Sequence, residues 1–340
     1  MTKKTYRATM KDVAQKAGVT IGTVSHVINH TAPISEETTQ RVQEAIEQLH
    51  YVPNSFARNI RVKKNNRIGL MIPNLTNTFY SKTASCFVSL AAQYKQVVHI
   101  MGYEYSLERE IEGIRSLMEY NVGTIVIVNG SGDEEMIREV AERGIHVILA
   151  DRRSKMENIP YVEFENSKTY QEIVKMLREK GYHSIGFICE PLDMINQTDR
   201  YEGYLKGMEE NGFPIIPEHI HLSKRLYLDY LKQSYHYMKD LLAEKTKEEL
   251  PEAFIMTSDL LAIGAIRAIH EAGYRVPEDF GIIGCDNLEM SGYVQPRLST
   301  VDQNTDDLCR EIWKMILDLR REKKIKNVVL PQRIILRESC

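Results

Sequence analysis

At 340 residues, 43% hydrophobic and 27% charged, the chain is long enough for two or three domains with sizeable cores. Its formal net charge of −3 is unevenly spread: residues 1–66 carry ten Lys and Arg against five Asp and Glu, and residues 67–340 carry 34 against 42, a small basic head on an acidic body, as expected of a DNA-binding module attached to something else. Five cysteines without paired spacing (Cys86, Cys189, Cys285, Cys309, Cys340) argue against a disulfide framework or a zinc site, and with no bilayer-length apolar run and no apolar stretch after M-T-K-K-T-Y-R the chain reads as cytoplasmic, with no membrane partner.

Residues 9–30, T-M-K-D-V-A-Q-K-A-G-V-T-I-G-T-V-S-H-V-I-N-H, have the shape of a helix-turn-helix. Thr9 can cap a helix whose third residue is Asp12. Val13, Ala14 and Ala17 recur at helical spacing and make a buried stripe. Gly18 suits the tight turn, where a side chain at positive φ is costly. Thr20 is a second N-cap, opening a helix over about 21–29 with Val24, Val27 and Ile28 inward. Its other face offers Ile21, Gly22, Thr23, Ser25 and His26. Two helices so spaced place the second in the major groove of DNA; a plain helical hairpin with polar residues outward is the blander alternative.

A third helix is expected over 35–49, with acids in its first turn and an apolar face of Val42, Ala45, Ile46 and Leu49. Pro53 ends it. N-S-F-A-R-N-I-R (54–61) could form a turn or two of helix, marginal alone in water, and 63–66 is a polar linker. From residue 67 apolar runs alternate with helical stretches: 68–72, 97–100, 124–128 and 146–149, then 184–188, 253–256 and 281–284. Near-continuous Val/Ile runs read as buried parallel strands. Two such series imply two doubly wound sheets, with a ligand cleft beyond the carboxyl ends of the strands.

The string D-V-A-x-x-A-G-V-x-x-x-T-V-S-x-V-I-N (12–29) resembles the start of the lactose/galactose repressor family of bacterial transcription factors. The resemblance continues through I-G-L-M-I-P-N-L-T-N-T-F-Y (68–80), G-T-I-V-I-V (123–128), V-I-L-A-D-R (147–152), D-R-Y-E-G-Y (199–204), T-S-D-L-L-A-I-G-A-I-R-A (257–268), V-P-E-D-F-G-I-I-G-C-D-N (276–287), S-T-V-D-Q (299–303) and L-P-Q-R-I-I-L-R-E-S (330–339). It implies an all-α head (1–52), a hinge helix and linker (53–66), and an α/β periplasmic-binding-protein-like core (67–340). The core's two doubly wound, parallel-sheet subdomains are expected at 67–160 with 292–323, and at 161–291 with 324–340.

The resemblance also implies roles residue by residue. Ile21, Gly22 and His26 fall where bases are read, and Thr9, Thr20, Thr23, Ser25 and Asn29 where phosphate or base-edge contacts are expected. In the hinge, Asn54 caps, Ala57 faces DNA, and Ile60 takes the place of the apolar wedge that enters the minor groove. Arg is usual where this chain has His26; histidine lacks the two-pronged grip on guanine. In the cleft, Phe79 and Tyr80 match an aromatic pair at the mouth, while Asp151, Arg200 and Asp286 match charged positions near the effector. Asp259 reads as structural. Ser258 stands where Asn is common, and Lys224-Arg225 where an aromatic plate is expected. With Arg152 and Arg153, this basic pair suggests an anionic effector gripped by Arg225 and Arg200; the competing reading is a neutral sugar held by Asp151, Arg200 and Asp286 with Tyr80 as the plate.

The implied function is a sequence-specific regulator, read as a repressor. A homodimer would bind a pseudo-palindromic double-stranded operator under control of a sugar or sugar phosphate, with no cofactor or metal. A corepressor-driven regulator or an activator fits the same residues. Paired carboxylates in a cleft also suit a glycosidase, which gives the basic head no role, and no nucleophile–base set points to an enzyme. A transport binding protein would have a signal peptide and no such head. The absence of an apolar heptad tail before Cys340 argues against a coiled-coil tetramer.

Overall fold

A computed structural model describes residues 8–29, 31–51, 67–130, 133–227 and 229–340. The chain divides into two compact units, Met1–Asn65 and Asn66–Cys340. The expected hinge segment, with Asn54, Ala57 and Ile60, lies outside the described residues.

Among the described residues of the first unit three helices form: α1 (Met10–Ala17), α2 (Ile21–Asn29) and α3 (Glu36–Gln48). Their ends are set by short-range polar chemistry. Thr9 and Asp12 close a reciprocal capping box on α1, and Gly18 ends that helix at φ 66°. The Thr20 hydroxyl accepts the Thr23 amide at 3.1 Å, so it caps α2, and Ser35 caps α3. Each helix contributes one fully buried valine, Val13, Val24 and Val42, to a shared core with Ala14, Ala17, Val27, Ala45 and Tyr51. Ile46, Leu49 and Ile28 flank it, partly buried.

Among its described residues the second unit holds twelve strands in two six-stranded sheets. The first runs β11 (Val328–Leu330), β5 (Tyr161–Phe164), β4 (His146–Ala150), β3 (Thr124–Val128), β1 (Arg67–Ile72), β2 (Val97–Gly102). The second runs β12 (Arg333–Ile335), β10 (Ser299–Asp302), β9 (Gly281–Cys285), β8 (Ala253–Met256), β6 (Ile185–Cys189), β7 (Ile220–Leu222). All pairings are parallel except β10 with β12. Strands β3, β6 and β9 are buried along their whole length, as the unbroken Val/Ile runs require. The intervening helices are α4 (Thr78–Gln93), α5 (Leu107–Glu119), α6 (Glu134–Glu142), α7 (Asn166–Glu179), α8 (Ile195–Glu210), α9 (Tyr230–Glu244), α10 (Asp259–Glu271) and α11 (Thr305–Leu319).

The expected subdomain boundaries need correcting. Strand β5 pairs with β4 in register Ala150↔Val162, β11 pairs with β5, and β10 pairs with β9. The first lobe is therefore 67–164 with 305–330, and the second 166–302 with 333–340. The chain crosses between lobes around residues 165, 303 and 332. Burial explains the assignment: Val162 and Phe164 share an apolar core with Ile312 and Ile316 of α11, whereas Val301 of β10 packs with Ile283 of β9. No described helix is long and apolar enough to cross a membrane.

Candidate DNA-reading face and effector cleft

On α2 the buried positions are Val24 and Val27, and Ile21 on the opposite side is 49% exposed. Gly22 and His26 are exposed too, with Thr23, Ser25 and Asn29 half-buried. A methyl group built on Gly22 would meet only the Thr20 hydroxyl, at 3.6 Å. The head's own packing therefore does not require a glycine there. Two polar side chains are engaged internally: Asn29 Nδ2 donates to the Ser25 carbonyl at 2.8 Å, and His26 Nδ1 lies 2.8 Å from Thr31 Oγ1. That leaves Nε2 of His26 for an outside contact.

The cleft in the second unit is built by the carboxyl ends of the strands, where such folds place their ligands. Three chains turn sharply there. Asn129 follows β3 at φ 64°, Asp151 follows β4 at φ 54° and Asp286 follows β9 at φ 112°. Left-handed backbone at non-glycine residues is strained, and here it swings three polar side chains into one cavity. Glu190 follows β6, Thr257 and Ser258 follow β8, and Gln303 follows β10. Asn77, which caps α4, contributes along with Phe79 and Tyr80 of its first turn, as do Asn196, Gln197 and Arg200 from the start of α8 and Tyr230 of α9.

Inside the cavity nearly every group is tied to a neighbour. Asp286 accepts from Ser258 Oγ at 3.1 Å and from Gln303 Nε2 at 2.6 Å. Thr257 Oγ1 donates to Glu190 at 2.7 Å. Asn129 Nδ2 donates to the Tyr80 hydroxyl at 2.8 Å. Asn196 Nδ2 reaches across the lobes to Asp151 Oδ2 at 2.8 Å. Burial pushes the Asp151 carboxyl up to about 7, with Arg200 and the Asn196 bond pulling the other way. Asp286 is also raised well above its ordinary value, by burial first and the Asp259 charge second. Three buried acceptors have no donor: Asp151 Oδ1, Asn129 Oδ1 and Gln197 Oε1. The space between the lobes is narrow, about 20 Å³, on the scale of a water molecule.

Six expected cleft residues, Phe79, Tyr80, Asp151, Arg200, Ser258 and Asp286, line this one cavity. Arg225 does not. It lies in the 3-10 turn Lys224–Tyr227, its side chain is half exposed, and it pairs with Asp240 on the surface at 3.3 Å. The aromatic missing from that position stands two residues on: Tyr227 stacks on Tyr105 with ring centroids 4.7 Å apart. Arg152 and Arg153, cations behind the same anionic-effector expectation, do not line the cavity either. Arg153 is clamped by Asp199 and Glu163, and Arg152 is buried outside the cavity, with its Nε and one terminal nitrogen left without a hydrogen-bond partner. Asp259 does not line the cavity either. It accepts from the Leu288 amide, Ser291 and Thr300.

Arg200 plays a different part from the free donor fork expected. Its Nε donates to Asn166 Oδ1, one terminal nitrogen to the Thr257 carbonyl and the other to Gln303 Oε1, each at 3.0 Å. Sequence reasoning missed Asn77, Asn129, Glu190, Asn196, Gln197, Tyr230, Thr257 and Gln303. Four of them follow directly on a strand, Asn129, Glu190, Thr257 and Gln303, so the strand-end rule alone would have found them.

A helical DNA-reading head joined to a two-lobed α/β core with a polar cleft defines a ligand-responsive transcriptional regulator. Residues 9–54 match the model of bacterial regulatory proteins of the lacI family, and 174–340 match a periplasmic binding protein-like domain. The chain is 31% identical over 335 residues to the HTH-type transcriptional regulator RegA of Clostridium saccharobutylicum, covering 97% of this chain and 98% of that protein. It is 29% identical over 334 residues to catabolite control protein A of Priestia megaterium, covering 97% and 98%. A crystal structure of the lac repressor dimer bound to operator and the anti-inducer ONPF superposes with TM-score 0.83 at 24% identity, over 98% of this chain and 99% of that one. The chain belongs to the lacI family of bacterial regulators: it is a DNA-binding transcription factor controlled by a small effector, not an enzyme.

Proposed function

We propose that the effector is a neutral polyhydroxylated molecule, a sugar in preference to a sugar phosphate, and that the chain acts as a homodimeric repressor on a pseudo-palindromic operator. The observation that carries the effector class is the set of three donorless buried acceptors, Asp151 Oδ1, Asn129 Oδ1 and Gln197 Oε1. Each unsatisfied buried group costs roughly 1–3 kcal/mol. Three hydroxyls of one molecule can each donate to one of them, whereas an ionised phosphate is acceptor-only and gives them nothing. Charge agrees: Asp151, Glu190 and Asp286 line the cavity against Arg200 alone, and the donors of Arg200 are largely engaged. A ring-sized ligand needs more than the present gap, so binding requires the lobes to part and re-close around it.

For the DNA side, the exposed face of α2 supports reading by Ile21, Gly22 and His26, with Thr9, Thr20, Thr23, Ser25 and Asn29 as positioning contacts. One head reads only a few base pairs, and two-fold pairing doubles the site. Titration calorimetry with matched pairs, each sugar beside its phosphate, tests the effector class. Tighter binding of the neutral member, lost in Asp151→Ala, is expected; tighter binding of the phosphate would overturn the reading. An operator selected from random DNA and titrated with and without the bound sugar then gives the direction of control.

A further inference from the structure

Helices α4 and α11 pack side by side in the first lobe, and each brings a cysteine to the contact. The Cys86 thiol donates to Asp306 Oδ1 at 3.4 Å. The Cys309 thiol donates to the Thr83 carbonyl at 3.5 Å. Thr83 precedes Cys86 by three residues and Asp306 precedes Cys309 by three, about one turn in each case. Each sulfur thus reaches the turn just before the other, a reciprocal arrangement that sets the two thiols against one another. Cys309 is fully buried and Cys86 is partly open to solvent.

We propose that Cys86 and Cys309 form a redox-sensitive dithiol that hydroperoxides convert to an intramolecular disulfide. The Cys86 thiolate attacks the peroxide oxygen and breaks the O–O bond, giving a sulfenic acid and releasing the alcohol or water. Cys309 sulfur then attacks the Cys86 sulfur and displaces hydroxide, which takes the thiol proton and leaves as water. Two thiols are oxidised, one peroxide is reduced, and a dithiol reductant reverses the change.

The remaining cysteines do not compete. Cys189, Cys285 and Cys340 are buried and pushed up by that burial. Cys86, by contrast, is lowered, chiefly by the hydrogen bond to Cys309, with Arg310 adding to it against burial and the Asp306 charge. A partly accessible thiol whose pKa is lowered, set beside a second cysteine, is the arrangement that redox-sensing sites share. The bond would staple the two helices that flank the cleft: α4 carries Phe79 and Tyr80 in its first turn, and α11 begins two residues after Gln303.

The full-length protein is treated with hydrogen peroxide, unreacted thiols are alkylated under denaturing conditions, and the intact mass and linked peptides are read. Expected are loss of two of the five thiols, a mass lower by two hydrogen atoms before alkylation, one peptide pair joining Cys86 to Cys309, and monomer mobility on a non-reducing gel. Cys86→Ser and Cys309→Ala should each abolish the linked pair while the wild-type peptide map stands on its own. Five thiols remaining after treatment, oxygen taken up at Cys86 with Cys309 still alkylated, or a cross-link between two chains would each overturn the proposal.

Discussion

Asp151→Asn isolates the electrostatics of the cleft. The Asp151 carboxyl is 1% exposed, and burial lifts it from its ordinary 3.8 to about 7. The folded protein therefore holds this proton more tightly than the unfolded chain does. The stabilisation is complete below about pH 4 and is lost as pH rises through about 7. The separation between 3.8 and about 7, at about 1.4 kcal/mol per tenfold, corresponds to roughly 4 kcal/mol as an upper bound. Asparagine keeps the shape and the neutral character at every pH. Urea denaturation of both proteins from pH 4.5 to 8 should show the wild type losing stability relative to Asp151→Asn by a few kcal/mol, most steeply between about pH 5 and 6 and levelling off above about 7. Asp259 and Asp286 titrate in both proteins, so the difference between the curves belongs to residue 151. Effector affinity should run the other way: a hydroxyl donating to Asp151 favours the carboxylate, so the wild type binds sugar more tightly as pH rises through about 7. Parallel stability curves for the two proteins would refute the buried, protonated Asp151.

Arg200→Lys replaces three directed bonds by a point charge in a buried site; unfolding free energy should fall by about 3 kcal/mol, read by urea denaturation, and sugar affinity by more than tenfold, read by calorimetry. Arg225→Ala removes only a surface ion pair, so stability should change by less than about 1 kcal/mol, and sugar titration should be unaltered. Gly22→Ala should stabilise the head by up to about 1 kcal/mol through helix propensity yet cost roughly tenfold in operator affinity, or about 1.4 kcal/mol; fluorescence anisotropy with operator and random duplexes separates the two effects. Ile60→Ala should weaken operator binding well beyond its effect on random DNA, since a wedge acts through the bent specific complex, and equal loss on both duplexes would make Ile60 a local packing residue.

The head was legible because its signals are local. Thr9, Asp12, Gly18, Thr20 and Ser35 act within one helical turn of the groups they satisfy, and a 3.6-residue period picks out Val13, Val24 and Val42. The long strands were legible for the same kind of reason, as runs with no polar interruption. The lobe boundaries were not. Crossing segments around 165, 303 and 332 are a residue or two long and carry no period, while Tyr161–Phe164 alternates burial and gives no hint of which sheet it joins. Arg225 stands apart from the cavity because position along a 3-10 turn decides direction: the residue two further on, Tyr227, turns toward the aromatic cluster and Arg225 toward Asp240. The charge count behind an anionic effector meets the same difficulty. Counting Arg153 and Arg225 says nothing about which carboxylates already hold them.

Arg200 also connects the cleft to the joint between the lobes. Its Nε is bonded to Asn166, at the first crossing, and a terminal nitrogen to Gln303, at the second. Gln332, at the third crossing, donates to the same two acceptors, Asn166 Oδ1 at 3.3 Å and Gln303 Oε1 at 3.4 Å. Gln303 in turn donates to Asp286 in the cavity. One buried guanidinium thus touches two of the three hinge strands directly and the last through a shared pair of acceptors, while lying in the wall that an effector would meet. A ligand shifts such an equilibrium only by the difference in its affinity for the two arrangements. Here that difference has a physical source: a set of hydroxyls that satisfies Asp151, Asn129 and Gln197 only when both lobes face it favours the closed hinge, and a hydroxyl that competes for Gln303 or Asp286 loosens it. Whether an effector closes or opens the core therefore depends on which acceptors its hydroxyls reach, so two sugars of equal affinity can have opposite effects on the same regulator.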